Sequence, residues 1–210
     1  LTLADGRLLV AGSVDWGSGD QDFLVGRLLA DGQPDPTFGN TGSAGLSTVG
    51  FDLGSDFTDE AAALAIDSQG RILVAGAADV SSTNRDFAVT RLLATGSVDS
   101  TFGTNGRAVI GYPNAGVDVA RAVTLDGSGR ILVGGATHTA ATFDCAVVRL
   151  LDSGAPDVTF GGGEGRWYAL HDGGNDYVNA LVVQPDGRIV LAGENWLAAG
   201  LWGWMVQRLL

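Results

Sequence analysis

Two clusters of acidic side chains are the part of this sequence best suited to chemistry. They consist of Asp15, Asp20 and Asp22, and of Asp52, Asp56, Asp59 and Glu60. Calcium takes about six to eight oxygen ligands, and a Gly-rich acidic loop can supply them. Neither cluster has the EF-hand spacing D-x-[DN]-x-[DN]-G, so solvated acidic loops are the favoured interpretation. The alternative is a calcium site at Asp52, Asp56 and Asp59, and calcium is the one cofactor that the sequence suggests.

Tryptophans are the second group of candidate binding residues. Trp16, Trp196 and Trp202 fall in segments that differ between the copies of a repeat described below. Exposed tryptophan suits carbohydrate stacking or a protein contact, so protein and glycan are the partners to consider. We favour a structural alternative, in which these side chains cover a sheet edge or face a neighbouring unit of the fold.

Nucleophilic catalysis has little support in the sequence. The two histidines, His138 and His171, lack metal-ligand spacing. No G-x-S-x-G nucleophile elbow occurs. Cys145 takes the place of Phe23 and Phe87 in its repeat, which predicts a small buried apolar residue rather than a reactive thiol. We predict no catalytic residue.

Composition excludes several classes of protein. The 210 residues include 12 Arg, no Lys and 24 acidic residues, and the net charge is −12. A protein that binds the nucleic-acid backbone needs a basic face, so we expect no nucleic-acid partner. A single cysteine allows no internal disulfide. No apolar run approaches the roughly 18 residues that span a bilayer, so we also expect no membrane insertion.

The sequence is a tandem repeat built from three blocks. The first block recurs as GRLLVAGS (6–13), GRILVAGA (70–77), GRILVGGA (129–136) and GRIVLAGE (187–194). The second recurs as DFLVGRLL (22–29), DFAVTRLL (86–93), DCAVVRLL (144–151) and GWMVQRLL (203–210). The third recurs as DPTFG (35–39), DSTFG (99–103) and DVTFG (157–161). The arginines of the second block are spaced by 64, 58 and 59 residues, so the blocks share one period.

Each repeat predicts four short strands. The first precedes the Gly-Arg pair, as in Ala61–Asp67, and a turn joins it to the second, Arg71–Ala77. A variable loop leads to a third strand that ends in RLL, and a fourth follows TFG, as in Arg107–Tyr112. These runs are rich in Val, Leu and Ile and are bounded by Gly or Asp, which favours strands over helices. Four strands in about 58 residues suit the antiparallel blade of a β-propeller, or of an open propeller arc. They suit a β-helix, an up-and-down barrel or an array of sandwiches less well.

The order of the motifs resembles a known family of bacterial tandem repeats. The pattern DGR(I/L)LVAG, then DF-x-V-x-RLL, then D-x-TFG is similar to the delta-60 repeats, in three full copies and one partial copy. The resemblance implies a β-propeller of uncharacterised function within a large exported or surface protein. It therefore implies an extracellular or cell-surface location, and it implies no reaction and no ligand.

The repeat leaves two blade phases open. In the first, the stretch through TFG carries the chain from the outer edge of one blade to the inner edge of the next. In the second, the variable-length link before the hairpin makes that crossing. We prefer the first. The copies cover residues 1–58, 59–117, 118–175 and 176–210. Because the last copy is partial, we expect a fragment of a larger propeller, with further blades of the parent chain as neighbours.

Polar and aromatic residues recur at fixed positions of the repeat. These positions hold Arg27, Arg91, Arg149 and Arg208; Asp35, Asp99 and Asp157; and Phe38, Phe102 and Phe160. An arginine on an apolar strand must be paired, because an isolated buried charge is costly. The aspartates of the TFG block are natural partners, and Asp59, Asp118 and Asp176 are the alternative. We interpret the set as a structural ion pair in each copy, with the phenylalanine as an anchor between blades.

Three functions remain open. We favour a non-catalytic repeat module with a structural or binding role in an exported bacterial protein. The second is a glycan-processing propeller enzyme, which would need two carboxylates at glycosidase separation. The third is a calcium-binding module of a surface protein.

Overall fold

The regular secondary structure of the described residues consists of β-strands. A computed structural model describes residues 1–17, 19–53, 58–113, 116–139, 142–169, 174–197 and 201–209. In chain order the strands in these ranges are β1 (Leu8–Asp15), β2 (Gln21–Leu28), β3 (Leu46–Val49), β4 (Asp59–Ile66), β5 (Ile72–Ser81), β6 (Asn84–Leu92), β7 (Arg107–Ile110), β8 (Asp118–Leu125), β9 (Ile131–Thr139), β10 (Thr142–Leu150), β11 (Arg166–Ala169), β12 (Asp176–Val183), β13 (Ile189–Leu197) and β14 (Leu201–Leu209). Across the described ranges, no helix has the length and apolarity needed to cross a membrane.

The strands form four antiparallel sheets. Their orders are β1-β2-β3, β4-β5-β6-β7, β8-β9-β10-β11 and β12-β13-β14. Strands that follow one another along the chain are neighbours in the sheet, as in the blade of a β-propeller. The predicted fold class, an all-β propeller or propeller arc of antiparallel blades, is therefore confirmed, and the four sheets are called blades below.

The fourth strand of a unit pairs with the third strand of the same unit. Phe87 lies opposite Ile110 in the β6–β7 ladder. Asn105 and Gly106 have φ angles of 52° and 89°, and this left-handed pair turns the chain back beside β6. The preferred blade phase was therefore wrong. The TFG stretch stays within its blade, and the link between β7 and β8 carries the chain to the next blade.

The segments that vary between copies are mostly strand. β5 continues to Ser81 and β6 begins at Asn84, so only residues 82–83 form the tip of that hairpin. The prediction of a variable loop was therefore wrong for most of this segment, which belongs to the two strands of the hairpin. Side chains near the hairpin ends occupy fixed register positions rather than positions on a free loop.

The first strand of each unit contains a β-bulge opposite a glycine. The register of β4 shifts between Ala61 and Ala63, and β8 and β12 shift at the equivalent position. The glycine opposite, Gly76 in β5, is the last glycine of the first repeat block. A Cβ atom there would overlap the carbonyl oxygen of Glu60. The bulge therefore explains why the seventh position of that block is glycine.

Three apolar cores lie between neighbouring blades. In the second, Phe87, Val89 and the TFG residue Phe102 pack with Ile131 and Val133 of the next blade. Equivalent sets are Phe23, Val25 and Phe38 with Ile72 and Val74, and Cys145, Val147 and Phe160 with Ile189 and Leu191. One interface is thus built three times, from one face of each blade and the opposite face of the next.

Candidate functional site at the blade junctions

The repeated arginine, aspartate and phenylalanine form one contact set in each copy. Arg91 Nε donates to Asp99 Oδ2 at 2.7 Å, and its guanidinium lies 4.9 Å from the centre of the Phe102 ring. Thr101 donates to the other carboxylate oxygen from its hydroxyl at 2.7 Å and from its backbone N–H at 3.1 Å. The equivalent sets are Arg27, Asp35, Thr37 and Phe38, and Arg149, Asp157, Thr159 and Phe160. In each copy, the arginine, aspartate, threonine and phenylalanine are therefore connected by direct contacts.

The same set also bonds to the next blade. Arg91 Nη1 donates to the backbone carbonyl of Asp152 at 2.6 Å, and the N–H of Gly103 donates to the carbonyl of Ser153 at 2.7 Å. At the first junction, Arg27 bonds to Ala94 in the equivalent way, at 2.5 Å. The repeated arginine thus satisfies a turn carbonyl in the neighbouring blade while neutralising its own aspartate.

Hydrogen bonding also sets the acidity of the paired aspartates. The side-chain hydrogen bond from Thr159 is the largest cause of a lowered pKa for Asp157, and Arg149 lowers it further. The carboxylate is therefore held in its charged form, as a partner for the guanidinium.

Asp59, Asp118 and Asp176, the alternative partners predicted for the repeated arginines, do not pair with them. They are the first residues of β4, β8 and β12. Asp59 Oδ2 accepts the N–H of Phe51 at 2.6 Å, and Asp118 Oδ2 accepts that of Tyr112 at 2.9 Å. Each of these carboxylates holds the link that brings the chain into its blade. Asp176, at the same position of β12, accepts the N–H of Trp196 at 3.1 Å.

A second aspartate recurs at the start of the third strand, and no role was predicted for it as a repeated position. The residues are Asp22, Asp86 and Asp144, the acids that open the second repeat block. Their recurrence was the signal that could have identified them. Burial raises the pKa of Asp86 to about 6, and Asp118 of the next blade raises it too. Two carboxylates from adjacent blades therefore repel each other at this junction.

The first junction gathers more acids than the second. Carboxylate oxygens of Asp20, Asp22 and Asp52 lie within 4.8 Å of one another. These three residues, called the acidic trio below, come from both clusters of the sequence, because β2 pairs with β3 and places Asp22 beside the chain that leaves β3. Asp15 is not part of the trio and accepts the N–H of Gly17. Asp56 lies outside the described residues.

Asp59 lies beside the acidic trio. It is 1% exposed, and Oδ1 has no hydrogen-bond partner among the described residues. Burial raises its pKa to about 6, and the Asp22 and Asp52 carboxylates contribute to the rise. A buried carboxylate of this kind favours a proton or a cation.

The predicted tryptophans do not form one site. Trp16 follows β1 in the first blade, is 58% exposed, and donates from Nε1 to Asp22 at 2.8 Å. Trp196 and Trp202 face each other across the β13–β14 hairpin in the last blade, with ring centres 4.8 Å apart. Trp204, two residues further along β14, is the most exposed large apolar residue described.

The histidine and cysteine positions carry no reactive arrangement among the described residues. His138 lies on β9, and its ring contacts the edge of Phe143 with centres 5.1 Å apart. His171 lies outside the described residues. Cys145 is fully buried beside Met205, and burial raises the pKa of its thiol to about 12. A thiol with that pKa is almost entirely protonated at neutral pH and is a poor nucleophile.

Together, the sheets and their three equivalent junctions define a β-propeller repeat protein. The family model "Domain of unknown function (DUF5122) beta-propeller" matches residues 3–38, 68–102 and 127–160, which make up half of the chain. The chain therefore belongs to the DUF5122 β-propeller family. The matched segments run from the turn before the first repeat block to the TFG motif, so they contain the Arg–Asp–Thr–Phe set. No curated protein matched the chain.

Proposed function

We propose that this chain is a non-catalytic β-propeller repeat module of the delta-60 kind, with a structural or binding role in an exported or surface bacterial protein. The observation that carries the proposal is that the repeated polar groups bond to one another and to the next blade. Arg91, for example, is bonded to Asp99, Thr101 and a carbonyl of the next blade. Groups engaged in this way hold blades together, whereas a catalytic group must be open to substrate.

Recognition is assigned in this proposal to the hairpin ends between the second and third strands. Their sequences differ between copies, while the strands that carry them contain the repeated sequence blocks. Ser82 and Thr83 are exposed at the tip between two long strands. Variable positions on a rigid scaffold are where proteins place binding residues. The exposed Trp16, held by Asp22, is suited to a protein or glycan contact of this kind.

Insertion of a short epitope peptide tests this division of roles. We expect an insertion between Ser82 and Thr83 to leave the unfolding midpoint almost unchanged, with the epitope open to its antibody, because neither residue contributes to a core. The matched control is the same insertion between Asn105 and Gly106, in the turn after TFG. We expect that variant to unfold at a clearly lower temperature. Equal losses at both positions would contradict the proposal.

Calcium binding at the first blade junction is a second proposed function. The 4.8 Å spread of the acidic trio suits a central ion with Ca–O distances of about 2.3–2.6 Å. Asp59 adds a buried carboxylate beside the trio, and no described residue bonds to its Oδ1. The second junction offers an internal comparison, because Asn84 and Pro113 stand where Asp20 and Asp52 stand in the first. The proposal therefore applies to the first junction alone.

Calcium should raise the thermal unfolding midpoint relative to chelator. At a free concentration about tenfold above the Kd, mass action stabilises the folded state by about 1.4 kcal/mol. For a domain of this size that corresponds to about 3–6 °C. We expect Asp52→Asn to abolish the shift and the exposed control Asp186→Asn to retain it. An identical melt with calcium and with chelator, or a shift that survives in Asp52→Asn, would remove the calcium proposal.

A further inference from the structure

The acidic trio connects two other features of the first blade junction. Trp16, at the tip of the first hairpin, is 58% exposed and donates from Nε1 to Asp22, a member of the trio, at 2.8 Å. Asp52, another member, lines a cleft of about 450 Å³ between the first and second blades. An exposed indole and a cleft therefore meet at the same group of carboxylates.

The hairpin tip that carries Trp16 is held by hydrogen bonds on both sides. The backbone N–H of Trp16 donates to the carbonyl of Asp20 at 2.9 Å. The hydroxyl of Thr58, in the second blade, donates to the carbonyl of Gly19 at 3.3 Å. A ligand that stacks on this indole therefore meets a turn that is already ordered, which lowers the entropy cost of binding.

The cleft combines apolar and polar groups. Phe51, Leu53 and Val109 supply its apolar part, and the exposed Thr104 and Asn105 supply a hydroxyl and an amide. Its volume lies in the range of about 300–1,000 Å³ that is usual for small-molecule sites. A sugar presents both C–H faces and hydroxyl groups, so it matches a cleft with this lining.

We propose that the first junction binds a neutral glycan through the calcium ion assigned to it above, and this inference rests on that proposed function. Calcium takes about six to eight oxygen ligands. The trio and Asp59 offer four carboxylates, which at one oxygen each leave coordination positions for two adjacent hydroxyls of a sugar. Trp16 stacks on the C–H face of that sugar, and the cleft receives the next sugar of the glycan.

Charge and size favour a neutral glycan over other ligands. The three carboxylates of the trio outweigh a divalent cation, and the chain has a net charge of −12, so an acidic glycan is repelled. The cation of the cleft, Arg107, is engaged by the backbone carbonyls of Gly50 and Asn105. A protein partner would need a contact of about 800 Å². One exposed indole beside a cleft of small-molecule size suits a sugar better.

The second junction lacks the same groups together. The registers of the two hairpins place Val80 at the position of Trp16 and Asn84 at the position of Asp20. Pro113 stands at the position of Asp52. The indole and two of the three acids are therefore replaced at once, and the proposed glycan site belongs to the first junction alone.

Affinity electrophoresis in gels that contain mannan or galactan tests the proposal, because both are neutral glycans with adjacent hydroxyls. We expect at least one of them to retard the protein in calcium and neither to do so in chelator. Trp16→Ala should weaken this binding about tenfold and keep the rise in unfolding midpoint with calcium. Trp16→Phe keeps a stacking ring without Nε1, so it should bind more tightly than Trp16→Ala. The matched control is Trp204→Ala, at a tryptophan that is 97% exposed in the last blade, and it should bind like the unmodified protein.

The other outcomes separate failure of this inference from failure of the calcium proposal. An unfolding midpoint that calcium does not change would remove both. A midpoint raised by calcium, with no retardation by either glycan, would overturn the glycan site alone. Retardation that persists in chelator, or at full strength in Trp16→Ala, would place the glycan on a different surface. Retardation by polygalacturonate but by neither neutral glycan would show that the ligand is acidic and would also overturn the inference.

Discussion

Replacement of Arg91 by alanine is expected to destabilise the fold more than any surface substitution. The side chain is 2% exposed, and its removal leaves the Asp99 carboxylate buried without its guanidinium. Loss of one partner of a buried ion pair costs about 3–5 kcal/mol. We expect the lower end, about 3 kcal/mol, because the far end of the guanidinium also reaches Asp152, which is solvent-exposed. The expected loss corresponds to a midpoint lower by about 6–12 °C.

Thermal and urea unfolding of the purified variant provide the measurement. The matched control is Arg188→Ala, because Arg188 forms an exposed pair with Asp186 and surface pairs contribute little. Arg91→Lys is a second comparison. Lysine keeps the charge but lacks the planar group that bonds to Asp99 and stacks on Phe102, so we expect partial recovery. A midpoint for Arg91→Ala equal to that of Arg188→Ala would contradict the structural role of the repeated arginine.

Replacement of Gly135 by alanine is expected to be comparably damaging, for a different reason. The φ angle of Gly135 lies outside the left-handed region, so backbone strain is not the cause. A Cβ atom would overlap the carbonyl oxygen of Val119 in the bulge of β8. Backbone atoms cannot move aside as a flexible side chain can. We therefore expect a loss at the upper end of the about 1–3 kcal/mol usual for overpacking.

The control for this prediction is Gly127→Ala. That glycine lies in a turn, its φ angle is also outside the left-handed region, and a Cβ atom there would meet nothing within 4 Å. The two variants add the same methyl group, so a difference between their urea midpoints isolates the close approach at the bulge. Equal stability of Gly135→Ala and Gly127→Ala would show that the strands can separate there without cost.

The all-β class could be predicted because the same three sequence blocks recur along the chain. Each copy of the three blocks gave the same strand boundaries and turn residues, and independent copies reinforced one another. The blade phase could not be predicted in the same way. Both connecting stretches occur once in every repeat, so periodicity does not say which of them crosses. The left-handed turn at Asn105 and Gly106, which folds β7 back beside β6, decides it.

Prediction of the acidic trio from the sequence depended on the same question of blade phase. Asp20 and Asp22 begin β2, whereas Asp52 follows β3, and the two segments meet only because β2 and β3 share a sheet. With the other phase, Asp22 and Asp52 would belong to different blades. The sequence therefore identified most of the acids but assigned the calcium candidates to one cluster. Asp59 was included in that set, and the structure places it beside the trio rather than within it.

Tryptophans illustrate a different limit. The sequence placed Trp196 and Trp202 on a variable loop, but β13 and β14 extend past both, and the pairing puts them on one side of the hairpin. Trp204 follows on that side, two residues along β14. Whether such a face is a binding surface or an interface depends on its neighbours in space, which one strand's sequence does not specify.

The central claim is that constant residues hold the blades together while the hairpin tips are free for recognition. Its most direct test is a side-by-side urea titration of Arg91→Ala and of the protein with an epitope between Ser82 and Thr83. We predict a large fall in the midpoint for Arg91→Ala and almost none for the epitope-bearing protein. The opposite order, or equal falls, would contradict the account.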